Sequence, residues 1–133
     1  MANRFHLAIP AGDLNVAVKF YCDLLGCNRG NSEANSNDSW IDIDFWGNEL
    51  TLHASQPDES WRGVRHEVDM GKVVVPHFGV HLGAPEFEAL KQRIEGSGIP
   101  YVDDPYIRFK DTEFEQETFF IADPVGNILK SKQ

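Results

Sequence analysis

Hydrophobic and polar positions first alternate at residues 5–9, FHLAI. Phe5, Leu7 and Ile9 fall on one side and His6 and Ala8 on the other, as in a half-buried strand. Gly12 and Asp13 end this run. Asp13 is placed to cap a helix whose apolar positions Leu14, Ala17, Phe20, Tyr21 and Leu24 recur at three- and four-residue steps as far as Gly26. Residues 30–39, GNSEANSNDS, are polar and read as a mobile loop or a weakly formed edge. Alternation returns in WIDIDFW, residues 40–46, with Ile41, Ile43 and Phe45 opposing Trp40, Asp42, Asp44 and Trp46. After a turn at Gly47, ELTLH sets Leu50 and Leu52 against Glu49, Thr51 and His53. If the aliphatic sides meet the helix, the other face carries Asp42, Asp44, Glu49, Thr51 and His53. Ordinary solvent exposure accounts for such a face, but tryptophans at both ends of the run suit a pocket wall better.

The run VVVPHFGVHL, residues 73–82, restarts the pattern: HFGV at 77–80 echoes HLAI at 6–9. Phe78, Val80 and Leu82 take the apolar side, and His77, Gly79 and His81 the other. Pro85 suits the first turn of a helix carrying Phe87, Leu90 and Ile94, which Gly96 to Gly98 would end. IPYVDD opens a strand, YIRFKDTEFEQ is a charged excursion, and ETFFIA and ILKSK flank the turn DPVGN. Each half therefore reads strand, helix, three strands. The expectation is an α+β fold of two tandem βαβββ modules, about 4–54 and about 73–133, within one domain spanning 1–133. Residues 55–72 lack a sustained period and read as a long connection, and His66 within it as a surface residue.

Composition narrows the partners. At 133 residues and 41% hydrophobic, the chain suffices for one globular core. Its net charge of −9, from 21 acidic and 12 basic residues, argues against nucleic acid, which needs a clustered positive surface. No apolar run reaches the roughly 20 residues of a membrane span, and the start MANRFHLAIP has no hydrophobic signal core, so no membrane is expected and a cytoplasmic location is the default. Cys22 and Cys27 are too few for a zinc knot or a disulfide framework and read as buried or idle thiols.

The early histidine strand followed by DLNVAVKFYCDLLG, the second histidine strand PHFGV and the terminal DPVGN resemble the vicinal oxygen chelate superfamily of glyoxalases, extradiol dioxygenases and bleomycin- or fosfomycin-resistance proteins. More narrowly, WIDIDFWGNELTLH, VPHFG, IRF and DPVGN resemble a subgroup described as predicted extradiol-type dioxygenases. The resemblance implies two modules forming a curved mixed sheet around a central cleft that holds a divalent metal (Fe, Mn, Ni or Zn), a small-molecule ligand and a homodimer. Carried over by position, His6 and His77 match the first-strand ligands and Glu49 a last-strand ligand. The fourth position, usually glutamate, is Lys130. A protonated lysine offers no lone pair and repels a cation.

Three outcomes stay open. A metal binds through His6, Glu49 and His77 with water; or Lys130 pairs with Glu49 and replaces the metal; or a desolvated Lys130 acts as a neutral base or nucleophile. His53 stands four strand residues from Glu49, roughly 13 Å, so it reads as a substrate contact or acid–base group, with a pocket histidine lacking chemistry as the plainer alternative. His81 reads as structural. Arg108, placed in a polar loop, resembles an anion-binding arginine of the subgroup, with a surface ion pair as the alternative. The leading expectation is a metal-dependent enzyme of the glyoxalase or extradiol dioxygenase type acting on an oxygen-chelating substrate. The other is a metal-free, drug-sequestering protein of the bleomycin-resistance type. The acidic balance, Asp42, Asp44, Trp46 and Lys130 favour the latter.

Overall fold

The computed structural model describes residues 3–33, 39–59, 63–68 and 71–133. Parts of the loop read at 30–39 (34–38) and of the connection read at 55–72 (60–62 and 69–70) lie outside the described residues. The chain divides into two compact units, Met1–Trp61 with Asp123–Gly126, and Arg62–Ala122 with Asn127–Gln133.

In the first unit, β1 (His6–Pro10) leads to a helix whose opening turn, α1 (Leu14–Val18), is capped by Asp13 Oδ1 accepting from the amides of Asn15 and Val16. The helical periodicity then continues in a wider winding: Lys19–Leu24 is π-helical, which the sequence reading had as one regular helix. Three strands follow, β2 (Asn28–Glu33), β3 (Trp40–Phe45) and β4 (Asn48–His53). They form a sheet in the order β1-β4-β3-β2, with β1 parallel to β4 and the other pairs antiparallel. Every residue of β2 is exposed, in keeping with a weak edge. Ile9, Ile41, Ile43, Leu50 and Leu52 bury one sheet face with Ala17, Phe20 and Tyr21 of the helix. Phe5 precedes the strand and stays 67% exposed.

The second unit repeats the plan. β7 (Phe78–His81), α2 (Ala84–Ser97), β8 (Asp103–Arg108), β9 (Gln116–Ala122) and β10 (Ile128–Lys132) give the sheet order β7-β10-β9-β8, with β7 parallel to β10. Pro85 lies in the first turn of α2, and Gly98 closes it in the left-handed region at φ 80°. Phe87, Leu90 and Ile94 bury the helix against Phe119, Ile121 and Leu129. This is the mixed α+β architecture of two βαβββ modules expected from the alternation.

Two expectations are corrected. The connection is not structureless: β5 (Val64–Val68) and β6 (Gly71–Val75) pair as an antiparallel hairpin, and Arg65 reaches Asp103 at 2.8 Å. Its β-branched valines favour strand, but the charges between them hide the period. His66 lies on β5 and is exposed. Arg108 is not in a loop but is the last residue of β8, because the pairing with β9 runs to Gln116.

Candidate functional site

In the first unit, the parallel register sets His6 level with Glu49, on the face away from the helix. His6 Nδ1 donates to Glu49 Oε1 at 2.8 Å. A carboxylate accepts, so Nδ1 carries the hydrogen, and in the neutral ring the lone pair is then at Nε2. Arg4 lies 3.8 Å from the other Glu49 oxygen in an exposed pair that adds little stability. Further along, Thr51 donates to Asp42 Oδ1 at 2.6 Å, and Asp44 Oδ1 accepts the Gly47 amide at 2.7 Å. Asp42 is thus held by a neighbouring strand and Asp44 by its own turn.

Trp46 falls outside the strand that alternation gave it, yet it lines a small cavity of about 140 Å³ with Asp44. The strand ends at Phe45, Trp46 takes φ 47°, and its ring meets Phe45 edge-on at 4.8 Å. Trp40 lines a cavity of about 410 Å³ with Asp13, Arg29 and Glu33. His53 is exposed at the far end of β4, level with Trp40, four residues from Glu49.

In the second unit, His77 Nδ1 donates to the Val74 carbonyl at 2.6 Å. A carbonyl can only accept, so here too Nδ1 carries the hydrogen and the neutral ring has its lone pair at Nε2. Both histidines thus turn Nδ1 to an acceptor, a different one in each unit. Such a second partner orients an imidazole for binding a cation through its other nitrogen. Lys130 is level with Gly79, one same-face step beyond His77, whereas in the first unit Glu49 is level with His6 itself. His77 and Lys130 both meet the fully buried Phe120 ring, the histidine edge-on at 5.1 Å and the ammonium over the face at 5.7 Å. Arg108 is level with Gln116, and its guanidinium lies over Phe109 at 4.8 Å.

The sequence reading overlooked Phe120, and with it Gln116, Thr118 and Lys132 on the same sheet face. Alternation in ETFF and ILKSK was the signal that could have found them. Among the described residues, no three histidine, cysteine or carboxylate side chains cluster closely enough to hold a metal ion. No helix among them is long and apolar enough to cross a membrane.

Within the first unit, Tyr21 donates to Asp123 Oδ2 at 2.7 Å, and Asp123 Oδ1 accepts from the amides of Val125 and Gly126. Burial and the adjacent carboxylate push the Tyr21 hydroxyl well above the usual tyrosine range. The DP and G of DPVGN thereby become legible as a turn whose acid anchors the helix tyrosine.

The model of the glyoxalase/bleomycin resistance protein/dioxygenase superfamily matches residues 4–130. The chain belongs to this superfamily. A glyoxalase/bleomycin resistance protein/dioxygenase from Alicyclobacillus acidocaldarius is 37% identical, with a TM-score of 0.73 over 98% of this chain and 89% of that one. A glyoxalase family protein from Enterococcus faecalis is 19% identical, with a TM-score of 0.67 over 100% and 98%. A mutant of the fosfomycin resistance protein FosX from Listeria monocytogenes, complexed with Mn(II) and 1S,2S-dihydroxypropylphosphonic acid, is 12% identical, with a TM-score of 0.66 over 98% and 91%. No curated protein matches the sequence.

Proposed function

We propose that this chain is a divalent-metal-dependent enzyme of the glyoxalase or extradiol dioxygenase type, with His6, Glu49 and His77 as its metal donors. The supporting observation is the matched preparation of the two histidines: each turns Nδ1 to an acceptor of the protein and leaves Nε2 for a cation, and since Nε2 of His6 faces away from the carboxylate that Nδ1 touches, Glu49 joins the ion only by releasing His6. Two neutral imidazoles and one carboxylate suit a first-row divalent ion such as Fe, Mn, Ni or Zn. When bound, the metal supplies Lewis-acid polarisation of a substrate that chelates through two oxygens. The protein's own side chains hold and orient the substrate: Asp42 and Asp44 on the first unit's polar face and Arg108 on the second unit's. Lys130 and His53 are the candidates for moving protons. Trp46, with its ring on Phe45, has the weakest claim to a substrate contact.

A metal-free binding protein of the bleomycin-resistance type is the second reading. Lys130 favours it, since its ammonium shares the Phe120 ring with His77, where a cation would be repelled. Metal content and thermal stability before and after chelation separate the two. Near-stoichiometric metal, lost together with stability on chelation and reduced about tenfold or more in affinity by His77→Ala, supports the enzyme. Metal uptake by Lys130→Glu alone overturns it in favour of the binder.

A further inference from the structure

The open face of the second unit's sheet is basic, within a chain of net charge −9. Lys130 and Lys132 alternate onto it from β10, Gly79 and His81 from β7, and Thr118 and Phe120 from β9. A cavity of about 380 Å³ is walled by Lys130, Lys132, His77, His81 and the β7 backbone, and no carboxylate lines it. Arg65 and Lys91 each find a carboxylate, whereas Lys132 makes no ion pair among the described residues. Lys132 is level with His81 on one side and Thr118 on the other.

Thr118 is wholly buried, and its hydroxyl has no hydrogen-bond partner among the described residues. The buried Oε1 of Gln116, one same-face step away, has none either. Buried polar groups are nearly always satisfied, and of these two exceptions Gln116 lines a cavity that it shares with Lys132. His81 and Lys132 also line a second cavity of about 530 Å³, which Gln116, Phe109 and Phe114 complete. Phe109 and Phe114 are 39% and 68% exposed. The acids of this cavity, Glu113 and Glu115, lie on the exposed turn between β8 and β9, and Glu115 already accepts the Asp111 amide.

We propose that this face holds a small aryl carboxylate, its head on Lys132 and His81 and its ring against Phe109 and Phe114. One ammonium and one imidazole N–H match the charge and donor demand of a carboxylate. The two phenyl rings match an apolar body. The inference names a substrate class for the small-molecule reading above and rests on it only in that respect. Binding needs no metal, so titrations on chelator-treated protein separate the two ideas.

The probes are benzoate, benzamide and benzylamine, followed by calorimetry or ligand-observed NMR on the full chain. Benzoate is expected to bind, with benzamide about tenfold weaker or worse and benzylamine not at all. Added salt weakens benzoate. Lys132→Gln weakens benzoate about tenfold while Lys132→Arg retains it, both variants keeping the wild-type circular dichroism. Equal binding of benzamide, binding of benzylamine, an unaffected Lys132→Gln or no binding of any probe would overturn the proposal. Benzoate binding in protein that takes up no metal would sink the metal reading alone.

Discussion

Tyr21→Phe tests what joins the helix of the first unit to its turn. The Tyr21 side chain is fully buried and Asp123 is 5% exposed, and their oxygens lie 2.7 Å apart. The substitution removes one oxygen atom, leaves the ring packed against Phe20 at 4.9 Å, and strips Asp123 Oδ2 of its phenol donor. Phenylalanine matches the ring, so packing contributes little and the loss is that of a buried hydrogen bond to a charged acceptor, about 2 kcal/mol. For a chain of this length that corresponds to a fall in Tm of roughly 8 °C.

The pH dependence has a definite sign. Burial, then Asp123, raises the Tyr21 pKa well above the ordinary 10.0, so above that value the folded state retains a proton that the unfolded chain releases. The stability contributed by Tyr21 is complete below pH 10.0 and is lost as pH rises beyond it. Urea denaturation of wild type and Tyr21→Phe near neutral pH and then in steps through alkaline pH measures both effects. The gap between the curves should be about 2 kcal/mol near neutrality and narrow as the solution becomes alkaline. The raised pKa of Tyr101, whose hydroxyl donates to Glu95, leaves a slope common to both proteins. Equal midpoints at neutral pH, or a gap that stays constant into the alkaline range, would refute the reasoning.

Two further outcomes follow from local geometry. A Cβ at Gly79 would fall on the Lys130 carbonyl, and backbone does not yield as a flexible side chain does. Gly79→Ala should therefore cost about 3 kcal/mol, read as a lowered denaturation midpoint, and a variant as stable as wild type would contradict this register of β7 on β10. The Cys22 thiol is pushed up, first by burial and then by Asp23, and Cys27 is buried. Iodoacetamide near pH 8 should modify the folded chain slowly at both cysteines and the denatured chain quickly, and prompt labelling of folded Cys22 would be the contrary result.

The fold was legible wherever one period ran long enough. Ile41, Ile43 and Phe45 against Asp42 and Asp44 define a strand with two unlike faces, and Phe87, Leu90 and Ile94 a helix with one apolar stripe. Where the signal depended on winding or on pairing, it failed. The residues of Lys19–Leu24 carry the same apolar spacing whether wound as α or π, since bonds to i+5 rather than i+4 hardly shift one side of so short a helix. The β5–β6 hairpin was hidden because Val64, Arg65, His66 and Glu67 are all exposed, so β5 shows no alternation even though Val73 of β6 is buried.

The site divides along the same line. Alternation placed His6, Glu49, Asp42 and Thr51 on one face, and the structure adds which of them touch: His6 with Glu49, Thr51 with Asp42. What alternation cannot give is register between strands distant in sequence, and Lys130 shows the consequence. Matched by its distance from DPVGN, it stands as the second unit's counterpart to Glu49, yet the ladder sets it level with Gly79, about 6.6 Å along the strand from the level of His77. A close His–carboxylate contact like that of the first unit is therefore not what glutamate at position 130 would simply restore. The Phe120 ring, which meets both His77 and Lys130, would have to be repacked as well. On this geometry Lys130 lines one cavity with Lys132 and His81, so the proposed carboxylate site offers its ammonium a use besides proton transfer.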